Sequence, residues 1–220
     1  ARRFGRARNM FARIELSRHP SKPAHASADV VVVDRVPELR GWQRDHDVLR
    51  LGAAVTCAEL SDGEPAALVP ALAQAARTVG SPQIRNAAAL GGNLGTASPA
   101  GDTLPVLAAL DATVQVVDSS GEKREIPFAN YHRLPGDSPQ KDNTLAPGEL
   151  ITSIDLKKNK MAPHSYYLKV RDRASYAFAL ISVAAALQLD GNKISQQEIR
   201  VLTAGFLEVL KSADSRQLDE

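Results

Sequence analysis

The residues best suited to chemistry in this chain lie between Arg85 and Asp102. The stretch carries Gly91-Gly92-Asn93, then Gly95-Thr96, Ser98 and Gly101-Asp102. It has little side-chain bulk and reads as a loop whose successive backbone N–H groups form a concave nest for an anion. Gly91 and Gly92 would let the backbone approach a pyrophosphate closely. Asn93, Thr96 and Ser98 offer hydrogen-bonding side chains. Asp102 has two readings. Its carboxylate accepts from a ribose hydroxyl, or it caps the helix that Thr103-Leu104-Pro105 opens. Gly-Gly pairs are also common in plain turns, so by residue type alone the cradle and the turn both stand.

Other chemistries find less support. The single cysteine, Cys57, cannot hold an iron–sulfur cluster, which needs about four protein ligands. The five histidines, His19, His25, His46, His132 and His164, show no metal-ligand spacing. A net charge of +2 gives no electrostatic case for nucleic acid, and no apolar run reaches the length of a membrane span. One lone cysteine fits a reducing, cytoplasmic setting. Arg2, Arg3, Arg6, Arg8 and Arg13 precede the first acid, Glu15, and read as a solvated basic end.

The elements that would position the site follow from periodicity. Val30–Val33 is a β-branched run suited to a buried strand, and Val48–Val55 alternates as another. A helix is expected from Gly63 to about Thr78, with Leu68, Leu72, Ala75, Ala76 and Val79 on one face and Gly80 as its stop. Thr113–Val117 and Arg124–Phe128, joined by Ser119-Ser120-Gly121, form a hairpin. Residues 133–148 are a loop rich in proline and glycine, and Leu150–Leu156 is a strand. The basic, proline-containing stretch 157–164 serves as a linker. Beyond it lie three candidate strands, Tyr166–Val170, Ala177–Leu189 and Glu198–Leu202, and Phe206–Glu220 has helical composition. Two domains are expected, residues 1–156 and 165–220, in an α+β protein.

Three motifs carry a resemblance. Gly80-Ser81-Pro82-Gln83-Ile84-Arg85-Asn86 leads into Gly91-Gly92-Asn93-Leu94 and then Ala97-Ser98-Pro99-Ala100-Gly101-Asp102. Pro147-Gly148-Glu149-Leu150-Ile151 is the second, and Tyr167 to Ala177 the third. Together with Leu51-Gly52-Ala53-Ala54-Val55-Thr56, they resemble the FAD-binding subunits of molybdenum hydroxylases: xanthine dehydrogenases, carbon monoxide dehydrogenases and aldehyde oxidoreductases. The resemblance covers roughly residues 30 to 205.

The resemblance implies an FAD-binding domain of the vanillyl-alcohol-oxidase-like type, followed by a small three-stranded antiparallel C-terminal domain. Ala89, Leu90, Gly91 and Gly92 would wrap the FAD pyrophosphate. Asn93, Thr96 and Ser98 would lie along the cofactor, and Asp102 would contact its adenosine side. Leu150, Ile151 and Lys169 would lie near the other part of the flavin. Lys169 also has a plain reading as a solvated strand-end lysine. No residue need act as an acid or base, because the flavin does the redox chemistry. Electrons would come from an iron–sulfur small subunit served by a large subunit with molybdenum cofactor, in a dimer of heterotrimers. They would leave to an external acceptor. The sequence departs from the family in two places. Ala1-Arg2-Arg3-Phe4-Gly5-Arg6-Ala7-Arg8 stands where a glycine-rich first flavin loop is expected. The C-terminal domain is expected to be incomplete, since Thr203-Ala204-Gly205-Phe206 leads to an early end. The first departure motivates an alternative, a flavin-free scaffold subunit of the same kind of complex.

Overall fold

The computed structural model describes residues 32–134, 137–138, 141–157, 161–174, 177–190 and 193–205, with Leu189, Asp190 and 193–205 described by backbone alone. Val30 and Val31, the arginine-rich start and Phe206–Glu220 lie outside the described residues. Val32 and Val33 are not in a strand.

Two antiparallel sheets enclose a set of short helices. The first has five strands: β1 (Trp42–Arg44), β2 (Val48–Gly52), β3 (Thr113–Val117), β4 (Lys123–Pro127) and β5 (Leu150–Lys157). Their spatial order is β1-β2-β5-β3-β4. The hairpin read from the alternation of Thr113–Val117 is present, with Thr113 opposite Pro127 and Val117 opposite Lys123. Val114 and Val116 point inward and are buried, while Thr113, Gln115 and Val117 are half-buried. β5 is central and is covered through Ser153–Leu156, as a strand paired on both edges must be. On β2, Leu49 and Leu51 face the core and Arg50 faces outward to Asp155 across the sheet, at 2.6 and 2.8 Å. The strand stops at Gly52 rather than continuing to Val55.

Six helices fill the chain between β2 and β3. α1 (Cys57–Ser61) was not foreseen, although Thr56 and Glu59 form a capping box: each side chain takes the other's backbone N–H. The helix expected over 63–78 is broken in two, α2 (Gly63–Leu68) and α3 (Pro70–Thr78). Pro70 causes the break, because it pushes Val69 out of the helical region, to φ −138° and ψ 75°. α3 buries Ala71, Leu72, Ala73, Ala75 and Ala76. Gly80 follows at φ +44°, in keeping with its reading as a stop. α4 (Pro82–Ala87) starts with Ser81 accepting from the Ile84 N–H and Pro82 in the first turn. α5 (Leu90–Thr96) and α6 (Leu104–Ala109) complete the set.

The second sheet is β6 (Ser165–Val170), β7 (Ile181–Asp190) and β8 (Lys193–Gly205), in that order. β7 and β8 are shifted from the expected ranges; Ala177–Leu180 lie outside a strand and β8 is longer. Its inner face packs on α3 and α6. Tyr167, Ala184 and Ala186 join the same apolar core as Leu51, Leu72, Leu107 and Ile154. Each such buried leucine or isoleucine contributes about 1.5–3 kcal/mol relative to exposure. Met161 and Ala162, in the stretch read as a linker, also belong to this core.

Candidate functional site

The glycine segment is not the loop read from its composition. Leu90 and Leu94 are fully buried and turn the chain into α5, so Gly91 and Gly92 form its first turn. The concave nest is not formed at its start. The Leu90 N–H donates to Val55 O at 2.9 Å and the Gly91 N–H to Ala53 O at 2.8 Å. The extended residues Ala88 and Ala89 before α5 thus lie beside residues 53–57, with an isolated bridge between Thr56 and Ala89 and the Cys57 N–H donating to Ala88 O.

The two glycines have different jobs. A Cβ on Gly91 would stand 2.7 Å from Ala53 Cβ and 2.9 Å from Ala53 O, so this position admits only glycine if the backbone is to lie so close. Gly92 and Gly95, three residues apart on the exposed side of α5, have nothing beyond the adjoining residues and the helix's own backbone within 4 Å of where a Cβ would be. Neither has positive φ, so their role is to leave space and not to make a turn. They create a strip of bare helix backbone. Along it, Thr96 donates its hydroxyl to Gly92 O, and Asn93 accepts the Thr103 hydroxyl on Oδ1, which directs its amide nitrogen elsewhere.

The far end of α5 is held by side chains from the chain after β4. The buried Tyr131 hydroxyl donates to Leu94 O at 3.1 Å, and Asn143 Nδ2 donates to Gly95 O at 3.2 Å. Leu94 O, which also accepts the Ala97 N–H, and Gly95 O at the end of the helix gain side-chain donors this way. Burial pushes the Tyr131 phenol up to about 12, so it remains a donor at neutral pH. Ala97 then leaves the helix at φ +49°, a left-handed conformation uncommon for a residue with a Cβ. Ser98 accepts on Oγ from the Ala100 N–H within the next turn.

Asp102 is neither cap nor solvated acid. α6 begins after Thr103 without a side-chain cap, which corrects that reading of Asp102. Its carboxylate instead faces β6. Lys169 Nζ lies 2.9 Å from Oδ1 and 3.0 Å from Oδ2, and the Tyr167 hydroxyl donates to Oδ1 at 2.8 Å. The side chains of Lys169 and Asp102 are only 8% and 9% exposed. The plain reading of Lys169 as a solvated lysine is therefore overturned. Alternation on β6 explains the pairing, because Tyr167 and Lys169 both project toward the helices while Tyr166, Leu168 and Val170 project away.

Leu150 and Ile151 open β5, opposite Val117 and Val116. Ile151 is buried in the core and Leu150 is half-buried. Two consecutive hydrogen bonds join this end of β5 to α5: Ala53 N–H to Thr152 O, and Gly91 N–H to Ala53 O. Thus the expected site residues other than Ser98, which bonds within its own turn, fall into two groups. Residues 89–96 and 150–151 are tied through Ala53, and Asp102 and Lys169 are tied to each other. Thr103 joins α5 to the second group through Asn93.

Several residues at this site went unread in the sequence: Thr103, Tyr131, Asn143 and Tyr167. Only Tyr167 left a signal, by its strand alternation with Lys169. Cys57 is buried and its thiol is pushed up to about 11, first by burial and then by the negative charge of Asp102. Among the described residues no group of three or more histidine, cysteine and acidic side chains is placed to hold a metal. Among them, too, no helix is long and apolar enough to cross a membrane.

A bare helix strip, hydroxyl and amide side chains beside it and a buried carboxylate–ammonium pair suit a dinucleotide with a pyrophosphate and ribose hydroxyls. Comparison with known proteins agrees. Residues 15–156 match the family described as the FAD binding domain in molybdopterin dehydrogenase, and the chain belongs to that family. FAD is its cofactor. The chain is 47% identical over 83 residues to the aldehyde oxidoreductase FAD-binding subunit PaoB of Escherichia coli, covering 38% of this chain and 26% of that one. It is 31% identical over 180 residues to the nicotinate dehydrogenase FAD-subunit of Eubacterium barkeri, covering 80% and 58%. A Cu,Mo-CO dehydrogenase structure shares the fold at a TM-score of 0.67 and 22% identity, over 76% of this chain and 56% of that one. The chain therefore spans less than two thirds of each of these three.

Proposed function

We propose that the chain is the FAD-carrying, electron-transfer subunit of a molybdenum-dependent hydroxylase or dehydrogenase. It would receive electrons from an iron–sulfur small subunit, served by a large subunit with molybdenum cofactor, and pass them to an external acceptor. The observation that carries this reading is the uncovered Gly92–Gly95 strip of α5 in a chain of the FAD-binding family. FAD, when bound, would supply the redox chemistry, since a flavin can take up electrons one at a time from an iron–sulfur donor and hold two for an acceptor; the protein would supply binding and electrostatics.

The proposed roles follow the geometry. Ala89, Leu90 and Gly91 set the position of the strip, since the Leu90 and Gly91 N–H groups are taken by Val55 O and Ala53 O and the Leu90 side chain is buried. Gly92 gives the close approach to the pyrophosphate, with Asn93, Thr96 and Ser98 beside it. Asp102 takes the adenosine side of the cofactor and Leu150 and Ile151 the flavin side; Lys169, expected beside Leu150 and Ile151, goes with Asp102 instead, because the two side chains are in contact. Residues 1–156 would be the flavin-binding unit and 165–220 the C-terminal unit, a division supported by the end of the family match at residue 156. A dimer of heterotrimers in the cytoplasm completes the proposal. Its motive is that a flavin domain with one buried cysteine has no cluster of its own to deliver electrons.

Purification of the native assembly tests this. The expected result is three kinds of chain, with FAD, molybdenum and iron in the same particle. A particle containing the chain and both partners but no flavin would favour the scaffold reading. A lone chain whose flavin is reduced directly by a small organic substrate would replace both.

A further inference from the structure

The Asp102 carboxylate offers about four acceptor positions on its two oxygens. Three are used within the protein: Tyr167 and Lys169 on Oδ1, and Lys169 on Oδ2. The Lys169 ammonium alone would hold the charge but not the orientation, because it sits nearly equidistant from both oxygens at 2.9 and 3.0 Å. The Tyr167 hydroxyl distinguishes them. It occupies Oδ1 and leaves the remaining acceptor position on Oδ2.

Tyr167 is itself well fixed. It is 4% exposed, its ring lies in the core, and its backbone N–H donates to Gln74 Oε1 on α3 at 2.7 Å. Its position in the middle of β6 is set by pairing with Ala184 on β7. The hydroxyl also meets Ser182 of β7. The tyrosine therefore carries the rigidity of the second sheet and α3 into the orientation of one carboxylate on the turn before α6.

We infer that Tyr167 is a positioning residue for dinucleotide recognition: by donating to Asp102 Oδ1 it presents Asp102 Oδ2 to a hydroxyl of the adenosine half of FAD. This rests on the proposed role of Asp102. It makes the second sheet part of the selection of FAD over FMN, although Tyr167 touches neither.

The test is a titration of the flavin-stripped full chain with FAD and with FMN, comparing wild type and Tyr167→Phe, with thermal midpoints measured alongside. Phenylalanine keeps the buried ring and removes only the hydroxyl. Losing one hydrogen bond to a charged group should lower FAD affinity about tenfold or more, with FMN affinity unchanged, so the FAD-to-FMN ratio falls. Equal losses for both flavins, tracking a lower midpoint, would show a merely structural tyrosine and overturn the inference. So would an unchanged FAD-to-FMN ratio in Tyr167→Phe when the wild-type chain binds FAD, leaving the proposed function intact. A wild type that binds neither flavin would overturn the proposed function and this inference with it.

Discussion

Lys169 and Asp102, sixty-seven positions apart in sequence, meet as a nearly dry ion pair between β6 and the turn before α6. The pair joins the second sheet to the helical layer of the first. A buried pair of this kind contributes little net stability compared with an apolar replacement, but breaking it leaves a charge without a partner.

Replacement of Lys169 by Met should therefore destabilise the chain by about 3–5 kcal/mol. The double change Lys169→Met with Asp102→Asn should recover much of that loss, since no charge then remains buried. Urea denaturation of the two variants and wild type measures it. A cost under about 1 kcal/mol for Lys169→Met, the range of an exposed pair, would show that water reaches the pair.

Gly91 and its neighbour should respond oppositely to the same change. Gly91→Ala places a methyl against the Ala53 backbone and should cost about 1–3 kcal/mol as overpacking. Gly92→Ala places it in open space, and only the helix preference for alanine remains, a gain of up to about 1 kcal/mol. Thermal midpoints of the two variants check the contrast. Equal effects would mean that α5 does not lie against Ala53 as described.

Cys57 predicts an alkaline limit to stability. In the fold its thiol is pushed up to about 11, while in the unfolded chain it ionises nearer its ordinary value. The contribution is therefore complete below the unfolded value and is lost as pH rises toward 11, because the unfolded chain releases the proton first. Two units correspond to about 2–3 kcal/mol. Urea midpoints should fall across roughly pH 9 to 11 and fall less in Cys57→Ala. A thiol reagent at pH 7 should label Cys57 only on unfolding. Rapid labelling of the folded chain would contradict its burial.

What the sequence disclosed and what it hid divide by range. The hairpin of β3 and β4 was legible because alternation and a Ser-Ser-Gly turn are local signals. The stop at Gly80 was legible for the same reason. The break before Pro70 and the starts of α1 and α4 were written locally too, in Pro70, Thr56–Glu59 and Ser81-Pro82, but the many small residues around them obscured the helical period. The glycine segment read as a loop because glycine has a poor helix propensity, and burial of Leu90 and Leu94 overrides it. The partner of Asp102 was not legible at all, since only the packing of β6 on the helices brings Tyr167 and Lys169 to it. The same holds for Tyr131 and Asn143 at the far end of α5.

The central claim is that FAD lies on the bare strip of α5. Flavin content of the purified assembly with Gly92→Val tests it most directly, measured beside wild type with circular dichroism and the thermal midpoint as controls. The account predicts about one FAD per chain in wild type and almost none in Gly92→Val, with the folded spectrum retained because nothing outside the adjoining residues and the helix's own backbone lies within 4 Å of the new Cβ. Full FAD occupancy in Gly92→Val would contradict it and would place the cofactor elsewhere on the chain.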